Sequence, residues 1–283
     1  MNHREGELTG VGGVRLYRQS WLPDGEARAA IVIVHGAGEH SGRYGHVAAR
    51  LVDEGYAVYA LDHRGHGRSD GPRALVDRLD RVVADVDALI VLAAAEHEHA
   101  GAKTFLIGHS MGGTIAVRHA MLHQERLAGL ILSAPLAALE AASPAMRAAA
   151  RALSALAPRL PLFAVDPTLV SRDPTVVQAY EDDPLVHHAK LPVRTVAELA
   201  AAVESFPDAV RAITVPTLIM YGTADRICPP AGSTMLAERI GSSDKAVKSY
   251  DGLYHEILNE PERERVMDDV CAWLKARVGA VAA

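Results

Sequence analysis

The feature that most constrains this 283-residue chain is a repeated pairing of a short apolar run with a longer helical stretch. Ala30–Val34 (AIVIV), Tyr56–Leu61 (YAVYAL), Lys103–Ile107 (KTFLI) and Leu127–Leu132 (LAGLIL) are each five or six residues long and bounded by Gly, Asp or Pro turn signals. Such runs are too short for helices and too continuously apolar for strands with one wet face. Between them, Tyr44–Glu54, Leu79–Glu98 and Met111–His123 read as helices. In the second, Leu79, Val82, Val83, Val86, Leu89, Ile90 and Ala93 recur at steps of three and four, one apolar face. The alternation predicts an α/β fold: a mostly parallel central sheet with helices on both faces. Val14–Trp21 alternates instead, and predicts an edge strand of an antiparallel hairpin.

From about Leu136 to Glu204 the pattern changes. The segment is Ala-rich and punctuated by prolines at 144, 158, 161, 167, 174, 184 and 192, and no strand-like run occurs in it. Met146, Ala150, Leu153, Ala157 and Leu160 share one helical face, with Arg147, Arg151 and Ser154 opposite. This predicts a helical cap, residues 136–204, inserted between a first core part, 1–135, and a second, 205–283. The αβ alternation then resumes with Val215–Tyr221, a helix near Ala231–Ile240, a strand at Ala246–Tyr250 and a closing helix at Glu262–Val278.

Composition narrows the function. With 29 Lys+Arg against 35 Asp+Glu, the net charge is −6 and no basic cluster is present, which argues against nucleic acid. Two cysteines, Cys228 and Cys271, make neither a disulfide scaffold nor a metal pair. The polar stretch Met1–Gly10 lacks the apolar core of a signal peptide, and no run of about 18 apolar residues exists. The expectation is a cytoplasmic protein.

Gly108-His109-Ser110-Met111-Gly112 is a G-x-S-x-G pentapeptide lying between a strand and a helix, the context of a nucleophile elbow. A second copy, Gly67-Arg68-Ser69-Asp70-Gly71, lies in a Gly/His/Arg-rich loop with no helix directly after it. Context favours Ser110 as nucleophile and leaves Ser69 as a loop residue. A serine needs a base and the base an orienting acid, in the chain order Ser, Asp/Glu, His. Of 14 histidines only His255 lies beyond residue 188, just after a strand. Asp225 follows the strand Val215–Tyr221 through a short turn and is the candidate acid, with Asp251 and Asp183 as rivals. His35-Gly36-Ala37-Gly38 ends Ala30–Val34, so the N–H of Ala37 can join that of Met111 in an oxyanion hole. Glu96-His97-Glu98-His99 closes a helix and reads as a solvated end rather than a metal site. Gly10-Val11-Gly12-Gly13 reads as a flexible turn.

In that order the chain resembles the α/β-hydrolase superfamily, and within it the monoacylglycerol lipases, especially the mycobacterial kind. The stretches that carry the resemblance are HGAGEHSGRY (35–44), LDHRGHGRSDG (61–71), GHSMGG (108–113), SRDPTVVQAYEDDPLVHH (171–188) and GLYHEILNEPER (252–263). It implies hydrolysis of a monoacylglycerol to glycerol and fatty acid through an acyl-enzyme, without cofactor or metal. It also implies a glycerol pocket at Glu39, Arg43, His109 and Tyr180, and a thiol near the site at Cys228. A single acyl chain needs an apolar lining, for which the cap offers Met146, Leu153, Leu156, Leu160, Leu162 and Phe163. The same cap could rest on a lipid surface, with Arg147, Arg151 and Arg159 near headgroups. The alternatives are a lysophospholipase or short-chain carboxylesterase with the same triad, an acyltransferase, and a non-catalytic lipid-binding member of the fold. Ser110→Ala is expected to lower kcat by at least about 10⁴-fold in an ester hydrolysis assay, and Ser69→Ala to keep most of it; the reverse result overturns the choice.

Overall fold

A computed structural model describes residues 1–97, 104–139 and 143–278. Eight strands form one sheet in the order β1 (Asn2–Thr9), β2 (Arg15–Leu22), β4 (Ala57–Leu61), β3 (Ala30–Val34), β5 (Thr104–His109), β6 (Leu127–Ser133), β9 (Thr217–Gly222) and β10 (Lys245–Tyr250). β2 runs antiparallel to both β1 and β4, and every other pairing is parallel. The predicted class is borne out, and the reason is visible in the pleat. Val32 and Val34 pack on one face with Leu106, while Ile31 and Ile33 pack on the other with Phe105 and Ile107. Both faces must therefore be covered. α2 (Leu79–Ala95) and α3 (Met111–His123) cover the first, and α1 (Gly45–Asp53) and α8 (Arg263–Val278) the second.

Two expectations need correction. β2 is not an edge strand, because β1 pairs along its whole length from Asn2↔Leu22 to Thr9↔Arg15. β1 is largely exposed and its sequence, NHREGELT, carries almost no apolar alternation to announce it. The segment after β6 also holds strands: β7 (Pro161–Phe163) pairs briefly with β8 (Leu191–Pro192). Two- and three-residue strands rich in proline leave no periodic signal.

Between β6 and β9 the chain leaves the sheet and builds α4 (Pro144–Leu156), α5 (Pro174–Asp182) and α6 (Val193–Ala209). α4 packs on α6 by the face expected to be polar. Arg147 and Arg151 both pair with Glu204, and Ser154 is 4% exposed, its hydroxyl satisfied by Arg151 O at 2.8 Å. The supposedly inward residues Met146 and Leu156 are 60% and 86% exposed. α7 (Pro230–Arg239) completes the framework. Lys103, Glu98 and His99 lie outside the described residues.

The β1–β2 turn is tied to α2 by a buried pair. Arg64 grips Asp85 with Nε and one terminal nitrogen, at 2.8 and 2.7 Å. Asp85 also accepts Val11 N–H at 2.8 Å, while Arg64 donates to Val11 O at 3.0 Å. Asp85→Ala strands a buried guanidinium and is expected to cost about 3–5 kcal/mol in a denaturant titration. A loss under about 1 kcal/mol contradicts that account.

Candidate active site

Ser110 stands where β5 turns into α3, with φ 55° and ψ −121°. That conformation strains any residue with a side chain. Glycines make the turn possible by close approach: a Cβ on Gly108 would lie 2.4 Å from Gly112 O, and one on Gly112 would lie 2.0 Å from Val34 O. Ser110 N donates to Ser133 O at 3.1 Å, and Ser110 O accepts Leu136 N–H at 3.0 Å, so the backbone is pinned from β6. Met111, the first residue of α3, has an N–H without an intrahelical acceptor. The N–H of Ala37 likewise has no acceptor among the described residues. Both residues line a cavity with Ser110.

His255 and Asp225 arrive on the loops after β10 and β9. His255 Nδ1 lies 2.8 Å from Asp225 Oδ2. A carboxylate only accepts, so Nδ1 carries the proton and Nε2 keeps its lone pair. Asp225 Oδ1 accepts the N–H groups of Ile227 and Cys228, each at 2.9 Å, which fixes the carboxylate. Burial disfavours the His255 imidazolium. The charge and hydrogen bond of Asp225, with help from Glu256 and Glu39, outweigh that and raise its pKa above the ordinary 6.5. Ser110 Oγ lies 3.8 Å from Cys228 Sγ. Burial, then the Asp225 charge, push the Cys228 thiol far up, so it stands there as a neutral SH group.

Two cavities meet at the serine, sharing Ala37, Ser110, Val165 and Ile227. One, of about 30 Å³, holds the polar side chains Glu39, His109, Tyr180, His255 and Glu256, with Val165, Val170 and Ile227 beside them. The other, of about 300 Å³, is apolar and is walled by Leu136, Leu139, Phe163, Leu191, Val196 and Leu199 among others. Of the six cap residues expected to line it, only Phe163 does so. Met146 and Leu156 of α4 are turned to solvent, as are Leu160 and Leu162 beyond it, Leu153 is half-buried away from the cavity, and α6 supplies the wall instead.

Arg43 is the hinge of the polar side. It donates to Glu39 Oε2 at 2.8 Å and grips both oxygens of Glu256 at 2.6 and 2.8 Å, with its guanidinium 4.8 Å above the Tyr180 ring. Tyr44 donates to Glu39 Oε1 at 2.7 Å. Burial opposes the charge on both carboxyls, but Arg43 overcomes it and lowers both pKa values. Glu39, His109 and Tyr180 thus face the cavity, while Arg43 acts through its neighbours. Burial and the His255 charge lower the His109 pKa to about 4. Its Nδ1 lies 3.1 Å from Ser133 O and so holds the proton, leaving Nε2 as an acceptor.

The weaker candidates find structural work. Ser69 Oγ donates to Asp62 O at 2.6 Å and accepts Tyr17 N–H at 2.8 Å, away from both cavities. Asp251 accepts from the Thr223 hydroxyl at the surface, and Asp183 pairs with His40 at 2.8 Å. Glu96 and His97 both engage the Tyr59 hydroxyl, and no group of three metal-type ligands occurs among the described residues. Two residues escaped the sequence reading. Glu256 sits beside His255 yet pairs with Arg43, 213 positions away. Glu260, fully buried, accepts the N–H of Arg172 and of Tyr254 and pairs with the Arg172 guanidinium, which ties the inserted segment to the His255 loop.

Comparison with known proteins agrees with this geometry. The family model described as "Serine aminopeptidase, S33" matches residues 25–262. The chain is 43% identical over 271 residues to a monoacylglycerol lipase of Mycolicibacterium smegmatis, covering 95% of this chain and 96% of that protein. It is 38% identical to the human monoglyceride lipase, with 95% and 90% covered. The crystal structure of a Paleococcus ferrophilus monoacylglycerol lipase superposes with a TM-score of 0.83 at 35% identity, covering 93% of this chain and 99% of that one. The chain therefore belongs to the monoacylglycerol lipase family of the α/β-hydrolase superfamily, serine hydrolases that act on ester bonds.

Proposed function

We propose that the protein hydrolyses monoacylglycerols, with Ser110 as nucleophile, His255 as base and Asp225 as the group that orients it. One observation carries this reading. Ser110 lies at the junction of a small polar cavity and a larger apolar one, which matches an ester joining one compact polar alcohol to one alkyl chain. The names of the relatives above point the same way.

Rotation of the Ser110 side chain brings Oγ to His255 Nε2, which takes its proton as Oγ attacks the ester carbonyl. The oxyanion accepts the N–H groups of Ala37 and Met111, at the positive end of α3. Asp225 stabilises the imidazolium, which protonates the departing glycerol. Water activated by the same imidazole then releases the fatty acid. The Tyr180 hydroxyl, held protonated by burial, and the Nε2 lone pair of His109 offer a donor and an acceptor to the glycerol hydroxyls.

Membrane contact is part of the proposal. Met146, Leu156, Leu160, Leu162 and Phe163 are all 42–86% exposed, and Phe163 also lines the apolar cavity. An apolar surface continuous with the acyl site suits a lipid interface. Arg147 and Arg151 are engaged by Glu204, so among the three cap arginines Arg159 is left to meet headgroups.

A panel of mono-, di- and triacylglycerols, lysophosphatidylcholine and a short nitrophenyl ester tests the substrate. The monoacylglycerol is expected to exceed the triacylglycerol in kcat/KM by at least about tenfold, since the apolar cavity takes one chain. Preference for lysophosphatidylcholine or the short ester moves the reading to a lysophospholipase or carboxylesterase. Failure of a fluorophosphonate to label Ser110 leaves only lipid binding.

The raised pKa of His255 sets the pH profile. Only the neutral imidazole accepts a proton, so kcat/KM falls as pH drops through a midpoint above 6.5. A profile still flat at that value removes His255 as the base.

A further inference from the structure

The polar cavity carries an unbalanced charge. Glu39 and Glu256 both face it, and both are buried. Among the described residues the one cation that pairs with them is Arg43, which gives three side-chain hydrogen bonds to these two carboxylates. Two anions against one cation leave a net negative charge, with the Asp225 carboxylate close behind His255. His109 adds no charge, because its Nδ1–H serves Ser133 O and its other nitrogen is a bare acceptor. The cavity beyond Tyr180 brings a further carboxylate, Glu181, with no Lys or Arg on its wall among the described residues. Its two histidines, His187 and His188, are directed to the carbonyls of Lys190 and Asp183. The arginine on the apolar side, Arg226, belongs to the other cavity.

We propose that Glu256, with Glu39, makes this cavity a charge filter: it admits neutral alcohol heads and refuses anionic ones, above all phosphorylated glycerol. The inference rests on the ester hydrolysis proposed above. In a small cavity with buried carboxylates on its wall, a phosphate meets net negative charge with no counter-ion beside it and gives up part of its hydration. A neutral glycerol needs only the donor and acceptor that Tyr180 and His109 supply. Glu39 alone would balance Arg43; the second carboxylate tips the sign. It binds no substrate charge, and it holds both terminal nitrogens of Arg43, a residue otherwise suited to a phosphate.

The test compares three esters of one acyl chain at mildly alkaline pH: monolauroylglycerol, its 3-phosphate, and the dimethyl triester of that phosphate, which is bulkier but uncharged. The wild-type enzyme is expected to favour the triester over the phosphate by at least roughly 100-fold in kcat/KM. Glu256→Gln keeps the side chain's size and an acceptor for Arg43 while removing its charge, and is expected to shrink that ratio at least roughly tenfold. Glu39→Gln is a second variant that removes one charge from the same cavity, and is expected to move the ratio in the same direction. A wild-type enzyme that cleaves the phosphate as well as the triester, or ratios unmoved in both variants, overturns the filter alone. No turnover of monolauroylglycerol sinks the ester reading and the filter with it.

Discussion

Everything chemical in this molecule depends on the parallel register of six strands, β4, β3, β5, β6, β9 and β10. Parallel strands deliver their C-terminal ends to a single edge of the sheet, and the loops leaving that edge are held within reach of one another. Ala37 leaves β3, Ser110 leaves β5, Asp225 leaves β9 and His255 leaves β10. No two of them need be close in sequence, because the sheet does the gathering. The inserted segment then hangs over this edge. It is stitched down by Val170 O to Glu256 N–H, by Gly38 O to His187 N–H, and by the Arg172–Glu260 pair.

Local patterns carried the sheet and the placing of Ser110 between a strand and a helix. Five-residue apolar runs can only be strands buried on both faces, and a pentapeptide between strand and helix marks an elbow. β1 was illegible because an exposed edge strand has no apolar partner face to advertise. The lining of the apolar cavity was illegible for another reason. Which side of α4 turns inward is tied to Glu204 of α6, a tertiary partner that pairs with Arg147 and Arg151 while Met146 and Leu156 face out. Glu256 illustrates the same gap at the site. Its role comes from Arg43, and no spacing rule links an arginine near the start of a chain with a glutamate near its end.

The buried charges also explain why His255 and its neighbour His109 diverge. His109 and His255 have ring centroids 4.6 Å apart and are both enclosed by protein. Asp225 lies against one and a carbonyl against the other, so one gains affinity for a proton and the other loses it. Two imidazoles in one cavity are therefore set apart, one with its proton affinity raised and one with it lowered.

The unusual backbone at Ser110 has a consequence for how the molecule fails. Glycine alone would rest there without strain, yet glycine lacks the atom the position exists to present. The distortion is maintained only by the tight seating of α3 against β3 and β6. Enlarging a neighbouring side chain would have to displace either the helix or this residue, since no slack separates them. The turn is thus held by its surroundings rather than by its own conformational preference.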